Sequence, residues 1–205
     1  MVTTPTSIAV ALDALAERDT DIARMVAEVG YPEPRIREPG FATLLNIIIG
    51  QQVSVQSAAA IRTRLAEAAN PLTPESFLSL DDEALRAVGF SRRKVEYGRL
   101  LAEDIREERF DPDGLLSLDD DAASKEIVAR KGLGPWSADV YLLFALGRED
   151  IWPADDLAVQ VAVQKLKGLD ERPDRATMGQ LAEAWRPYRG AAALLMWHMY
   201  KKVAL

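Results

Sequence analysis

Apolar residues recur at helical spacing along most of the chain, and no stretch shows the convincing alternation of a half-buried strand. Positions 7–29 predict a helix, with Ile8, Ala11, Leu12 and Leu15 on one stripe and Ile22, Met25, Val26 and Val29 on another. Gly30-Tyr31-Pro32-Glu33-Pro34 stops it, and Pro39-Gly40 is a second breaker. Residues 41–69 form a long helical zone, apolar nearly all round in its first half, as expected of a central buried helix. Gly50-Gln51-Gln52-Val53-Ser54 interrupts it. Ser54 is placed to cap a second helix that turns Val55, Ala58, Ala59 and Leu65 inward. Short helices are expected at 75–79 and 82–87, a longer one from Arg92 to about Glu107, and two short ones within 115–131. Three more are expected at 156–167, 176–184 and about 187–203. The fold class predicted is all-α.

The stretch from Lys125 to Gln160 organises the rest. Gly132-Leu133-Gly134 lies between two apolar-periodic segments, and two glycines around one aliphatic residue suit a tight turn between helices. Pro135 suits the first helical position that follows, where its missing N–H costs little. A helix starting there points backbone N–H groups outward, and such groups bind anions, a phosphate being the natural candidate. Further on, Trp152-Pro153-Ala154-Asp155-Asp156 sets two adjacent carboxylates behind a proline.

GLGPWSAD followed by WPADDLAVQ resembles the helix-hairpin-helix DNA glycosylase superfamily, with closest similarity to its DNA-3-methyladenine glycosylase II (AlkA-like) branch. The resemblance runs from about Phe41 to Trp197. Leu85-x-x-Val88-Gly89-Phe90-Ser91 resembles a second helix-turn-helix unit of the same family. The implied fold is one glycosylase domain of two helical lobes flanking a cleft, without the β-rich N-terminal domain of longer relatives. One lobe is expected at about 41–146, including the hairpin 125–146, and the other from 1–35 plus 157–205. The cleft would hold the flipped nucleotide, with Asp156 at its floor and the hairpin on its rim.

Composition adjusts this picture in places. The chain has 205 residues, 48% of them hydrophobic, which is ample for a buried core. It has no cysteine, which excludes disulfides, zinc–thiolate sites and cysteine-ligated clusters. No signal peptide or membrane span is legible, so a cytoplasmic monomer with no membrane partner is expected. The net charge of −7 runs against a nucleic-acid partner. The distribution offsets this: residues 161–205 hold eight basic against four acidic side chains, a net of +4, and Arg92-Arg93-Lys94 adds a basic cluster.

The resemblance then assigns roles. Asp156 matches the catalytic aspartate, whose charge stabilises the sugar cation formed as the glycosidic bond breaks, or activates the attacking water. Taken on spacing alone, the same residue reads as a helix N-cap, and Asp155 is expected to be the cap or a structural neighbour. Trp136 stands where lyase-competent relatives carry a nucleophilic lysine. Its presence implies a monofunctional enzyme that uses water, and Lys131 does not occupy the family position. Trp197 matches an aromatic of the base pocket, where an indole face attracts a cationic methylated purine by about 0.5–2 kcal/mol. Val140 and Leu157 replace pocket aromatics of some relatives. Gln51 and Gln52 lie in the loop that enters the duplex when a base is flipped, Gln52 standing where relatives can use an aliphatic wedge.

Gly132, Leu133 and Gly134, with the amides of Trp136, Ser137 and Ala138, form the expected phosphate clamp. Relatives can hold a monovalent cation on the hairpin carbonyls, and no catalytic metal or cofactor is expected. Arg130 departs from an apolar family position and reads as exposed or phosphate-contacting. His198, the single histidine, reads as a packed or surface residue. The function implied is excision of alkylated bases, 3-methyladenine-type included, from double-stranded DNA. The alternatives are a non-catalytic DNA lesion or structure binder using the same hairpin, and a helical protein-interaction domain.

Overall fold

The computed structural model describes residues 4–202, and every element among them is helical. The chain divides into two compact units, Arg37–Tyr141 and a discontinuous one made of Met1–Ile36 with Leu142–Leu205. The boundary therefore falls at Tyr141, earlier than the expected 146. Residues 142–156, which the sequence reading left with the central block or between lobes, join the C-terminal helices.

In the central unit, α3 (Phe41–Gly50) buries Phe41, Thr43, Leu44, Leu45, Ile47, Ile48 and Ile49, as its all-round apolarity requires. The Thr43 hydroxyl is accommodated by donating to Glu38 O at 2.7 Å. The helix packs on α7 (Arg92–Arg106), where Gly98 leaves room for the Phe77 ring; a Cβ there would lie 2.7 Å from Phe77 Cζ. Phe77 belongs to α5 (Pro74–Leu78), and its ring centroid is 5.8 Å from those of both Phe41 and Phe90. The helix α4 (Val55–Ala68) is capped by Ser54, as expected, and packs on α6 (Asp82–Val88). Ala58 and Leu65 face inward, but Ala59 is exposed and Val55 is 80% exposed, so the inward stripe is narrower than the sequence suggested. The two short helices expected before the hairpin are a 3-10 turn (Gly114–Ser117) and α8 (Asp120–Val128).

In the discontinuous unit, the single helix expected over 7–29 is two, α1 (Pro5–Ala16) and α2 (Thr20–Val29). Asp19 makes the break. Its side chain accepts from the Asp21 and Ile22 amides, competing with continued helix and starting a new one. The Asp19 carboxylate also receives Lys167 Nζ at 2.8 Å and Trp185 Nε1 at 2.8 Å. Burial pushes this carboxyl up, but those two partners outweigh it and hold the group below its ordinary value.

The last helix, α12 (Arg189–Lys202), buries every residue from Gly190 to Trp197 and packs on α1, α2 and α10 (Leu157–Lys167). Gly190 is required: its amide donates to Glu149 O at 2.8 Å, and a Cβ would meet that oxygen at 2.7 Å. His198 Nε2 and Lys202 Nζ both reach Val29 O, at 2.9 and 2.7 Å, closing the C-terminus of α2. Between α10 and α12 lie α11 (Arg175–Ala182) and a 3-10 turn, Glu183–Trp185.

Candidate glycosylase site

In the central unit, α8 leads into the Gly132-Leu133-Gly134 turn and then α9, Pro135–Phe144. Gly132 has φ +89°, and a Cβ would lie 2.4 Å from the Tyr97 ring, so only glycine fits. Gly134 is different, since nothing lies within 4 Å of the Cβ it lacks. Leu133 is buried beneath the turn, and its amide donates to Arg130 O at 3.1 Å. Pro135 opens α9, so the amides of Trp136 and Ser137 belong to the first turn, where a helix presents N–H groups outward. The Ala138 amide does not join them. It donates to Gly134 O at 3.0 Å, which corrects its expected place in the phosphate clamp.

Gln51 is tied to this turn. Its Nε2 donates to Gly132 O at 2.8 Å and to Ser137 Oγ at 3.2 Å. Lys94 Nζ donates to Ile49 O at 2.6 Å, closing the end of α3 just before Gln51. Gln51 is thus a brace between loop and hairpin. Gln52 is exposed and held at φ +55°, beside the exposed Val53. Trp136 is half-buried and Val140 buried.

Arg130 is neither exposed nor turned outward. Its guanidinium meets Asp104 Oδ2 and Arg109 O, both at 3.3 Å, and stacks 5.4 Å from the Phe110 centroid. Lys131 pairs with Glu96 at 2.5 Å. The Arg130 and Gly132 carbonyls each accept one N–H, from Leu133 and from Gln51.

In the discontinuous unit, the loop before α10 is held by short local bonds: Ala154 N to Trp152 O at 2.9 Å, Asp156 N to Pro153 O at 3.0 Å, and Gln160 Nε2 to Ala154 O at 2.8 Å. Trp152 anchors it from below, donating to Met178 O at 3.0 Å. Asp156 ends the loop as the N-cap of α10. Its Oδ1 accepts from the Val159 amide at 3.0 Å and from Trp197 Nε1 at 3.1 Å. The cap is therefore Asp156 and not Asp155, which pairs with Arg175 instead. Leu157 is 55% exposed.

Two residues complete this cluster that the sequence reading missed. The Phe144 ring lies 5.3 Å from that of Trp197. The Arg35 guanidinium carbon sits 5.5 Å from the Trp197 centroid and 5.9 Å from that of Phe144. Burial lowers the proton affinity of Arg35, while the Asp156 charge raises it. Arg35 lies in a Pro-rich connection without periodicity, close to a second arginine, Arg37, and nothing in that local sequence singles it out.

An all-helical fold with a glycine-turn hairpin and, beyond it, an aspartate capping a helix is the arrangement that the sequence resemblance implied. The sequence pattern of the HhH-GPD superfamily of base excision DNA repair proteins matches residues 45–187, and the chain belongs to that family. It is 30% identical to DNA-3-methyladenine glycosylase 1 of Schizosaccharomyces pombe, over 96% of this chain and 89% of that protein. It is 27% identical to DNA-3-methyladenine glycosylase 2 of Escherichia coli, over 84% of this chain and 64% of that one. The solved structure of the S. pombe 3-methyladenine DNA glycosylase in complex with abasic DNA superposes with a TM-score of 0.85 at 28% identity, covering 95% of this chain and 98% of that one. The fold is that of a DNA glycosylase of base excision repair.

Proposed function

We propose that this protein is a monofunctional glycosylase that hydrolyses the N-glycosidic bond of alkylated bases in double-stranded DNA, with Asp156 as its catalytic residue. The observation that carries this reading is the Asp156 carboxylate, oriented by the Val159 amide and the Trp197 indole at the start of α10. Groups fixed in advance do not have to reorganise when charge develops. As the C1′–N bond breaks, its electron pair leaves with the base and the sugar becomes cationic. The carboxylate offsets that charge. Water then forms the new C1′–O bond and gives its proton to the carboxylate or to solvent. An N3-alkylated purine starts cationic and leaves neutral, so it needs no acid.

The names of the relatives support the substrate class, and the abasic-DNA complex of the S. pombe enzyme supports DNA as the partner. Trp136 at the expected lyase position supports a water mechanism. Phosphate binding is assigned to Gly132, Gly134 and the Trp136 and Ser137 amides, with Leu133, whose amide donates to Arg130 O, as the buried anchor of the turn, and duplex insertion to Gln52.

The test is base release from methylated duplex DNA by the wild type and by Asp156→Asn. Asparagine still caps a helix and still accepts the indole N–H, so the fold is kept. Release should fall about a hundredfold or more. The wild-type product should be an unbroken strand with an abasic site. Strand cleavage without heat or alkali would remove the monofunctional assignment. Binding to an abasic analogue with no release of any base would favour the non-catalytic binder.

A further inference from the structure

In the free protein the aromatic pair that should receive a cationic base is already covered by a cation. Arg35 reaches it from the connection between α2 and α3, and its guanidinium lies over the Trp197 and Phe144 rings. Those rings are only 8% and 5% exposed. Trp197 cannot turn to offer a fresh face, because its Nε1–H is committed to Asp156 Oδ1. Burial disfavours the charge on the half-buried Arg35, and the Asp156 carboxylate favours it. The carboxylate that the reaction needs is therefore already answered by a guanidinium.

The proposed reaction does not suit that arrangement. A purine alkylated at N3 or N7 enters as a cation and needs an aromatic face. The sugar becomes cationic as the C1′–N bond breaks and needs the Asp156 charge. Arg35 covers the first and offsets the second. Left in place, it would add a further positive charge to a half-buried site, where solvent screens poorly.

We infer that Arg35 is an autoinhibitory placeholder: its guanidinium holds the aromatic faces and the Asp156 carboxylate until a flipped cationic base takes them over. The inference rests on the proposed excision reaction and adds a closed resting state to it. The exchange is cation for cation. An alkylated base regains on Trp197 and Phe144 what Arg35 gives up, and the Asp156 charge passes from the guanidinium to the base and sugar. An unmodified base meets the same opening cost and brings no charge to offset it. Arg35 belongs to a connection between helices, so its side chain can swing away while α2 and α3 stay intact. Only the open fraction of the molecules can take the base, so the closed state weakens apparent binding by that fraction.

Single-turnover release is measured from a duplex holding one N7-methylguanine, over a range of protein concentrations. Wild type, Arg35→Ala and Arg35→Lys are compared, with a thermal melt of each. The quantity read is the saturated rate divided by the half-saturating protein concentration. Losing a positive charge beside DNA ordinarily weakens the complex. Arg35→Ala should do the opposite and raise this ratio about threefold or more. Arg35→Lys, which keeps a cation over the rings, should stay nearer to wild type. Each protein is then assayed at fixed chloride with tetramethylammonium in place of sodium. That cation should compete for the uncovered rings and lower the ratio in Arg35→Ala while leaving wild type unchanged. If Arg35→Ala does not fold, Arg35→Gln supplies the uncharged arm. A ratio that is unchanged or lower in the uncharged variant overturns the inference, and so does an equal tetramethylammonium effect on variant and wild type. Arg35 is then a structural part of the site, and the proposed function stands. No base release by the wild type overturns the proposed function and this inference together.

Discussion

The two regions assigned to DNA are built from different materials. The hairpin of the central unit is made of backbone: a glycine at φ +89°, a buried leucine, a proline and the amides of one helical turn. The cluster of the discontinuous unit is made of side chains from four separate places, Arg35, Phe144, Asp156 and Trp197. On the proposed reading, the first meets what every nucleotide shares and the second the sugar and base of one nucleotide. A change in the first should therefore act on affinity for any DNA, and a change in the second on chemistry and base choice.

The largest effect expected is also the sharpest test of this division. Asp156→Asn should cost about a hundredfold or more in base release while leaving affinity for undamaged duplex unchanged in a binding titration. A parallel loss of affinity would blur the two regions into one. Gly132→Ala should do the reverse. The added methyl has to displace the Tyr97 ring at an unfavourable φ, a strain of about 1–3 kcal/mol. Affinity for damaged and undamaged DNA should drop together, and urea unfolding should report the lost stability.

Gln51→Ala tests whether the exposed Gln52 depends on its neighbour's brace. Losing the bonds to Gly132 O and Ser137 Oγ should cost about 1–2 kcal/mol of stability, seen as a lower urea midpoint. It should also weaken binding to an abasic analogue more than to intact duplex. Equal weakening would mean that the brace serves only the hairpin.

The smallest effect lies away from both regions. Asp19 is held below its ordinary value by Lys167 and Trp185 in spite of its burial. A carboxyl lowered in the folded state contributes its stability fully above its unfolded value, near about pH 4, and loses it as the pH falls through the lowered value. Melting temperature should fall more steeply below about pH 4 in the wild type than in Asp19→Asn.

The same contrast explains what could be read from residues alone. The hairpin was legible because backbone geometry leaves local marks: glycine where φ is positive, proline where a helix starts. Ser54 as a cap and the burial of α3 were legible for the same reason. The break at Asp19 was missed because apolar stripes continue across it, and the competing hydrogen bonds come from one side chain. Val55 was misplaced because it follows the cap so closely that its position on the helix is set by the loop and not by the stripe. Arg35 and Phe144 left no mark at all. What defines them is proximity in space to Trp197, which lies 162 and 53 positions later in the chain. Asp156 proved to be the cap and the candidate catalyst at once, two readings that spacing had set against each other.

The discontinuous unit has one more consequence, for synthesis. Residues 37–141 form one compact unit from a single uninterrupted segment, so it can fold as soon as it has left the ribosome. The first 36 residues cannot finish at that moment, because their partners include α12, whose His198 and Lys202 close the end of α2. The earliest-made helices are completed by the last-made one, and a chain cut short near its C-terminus would leave its opening segment without a place to dock.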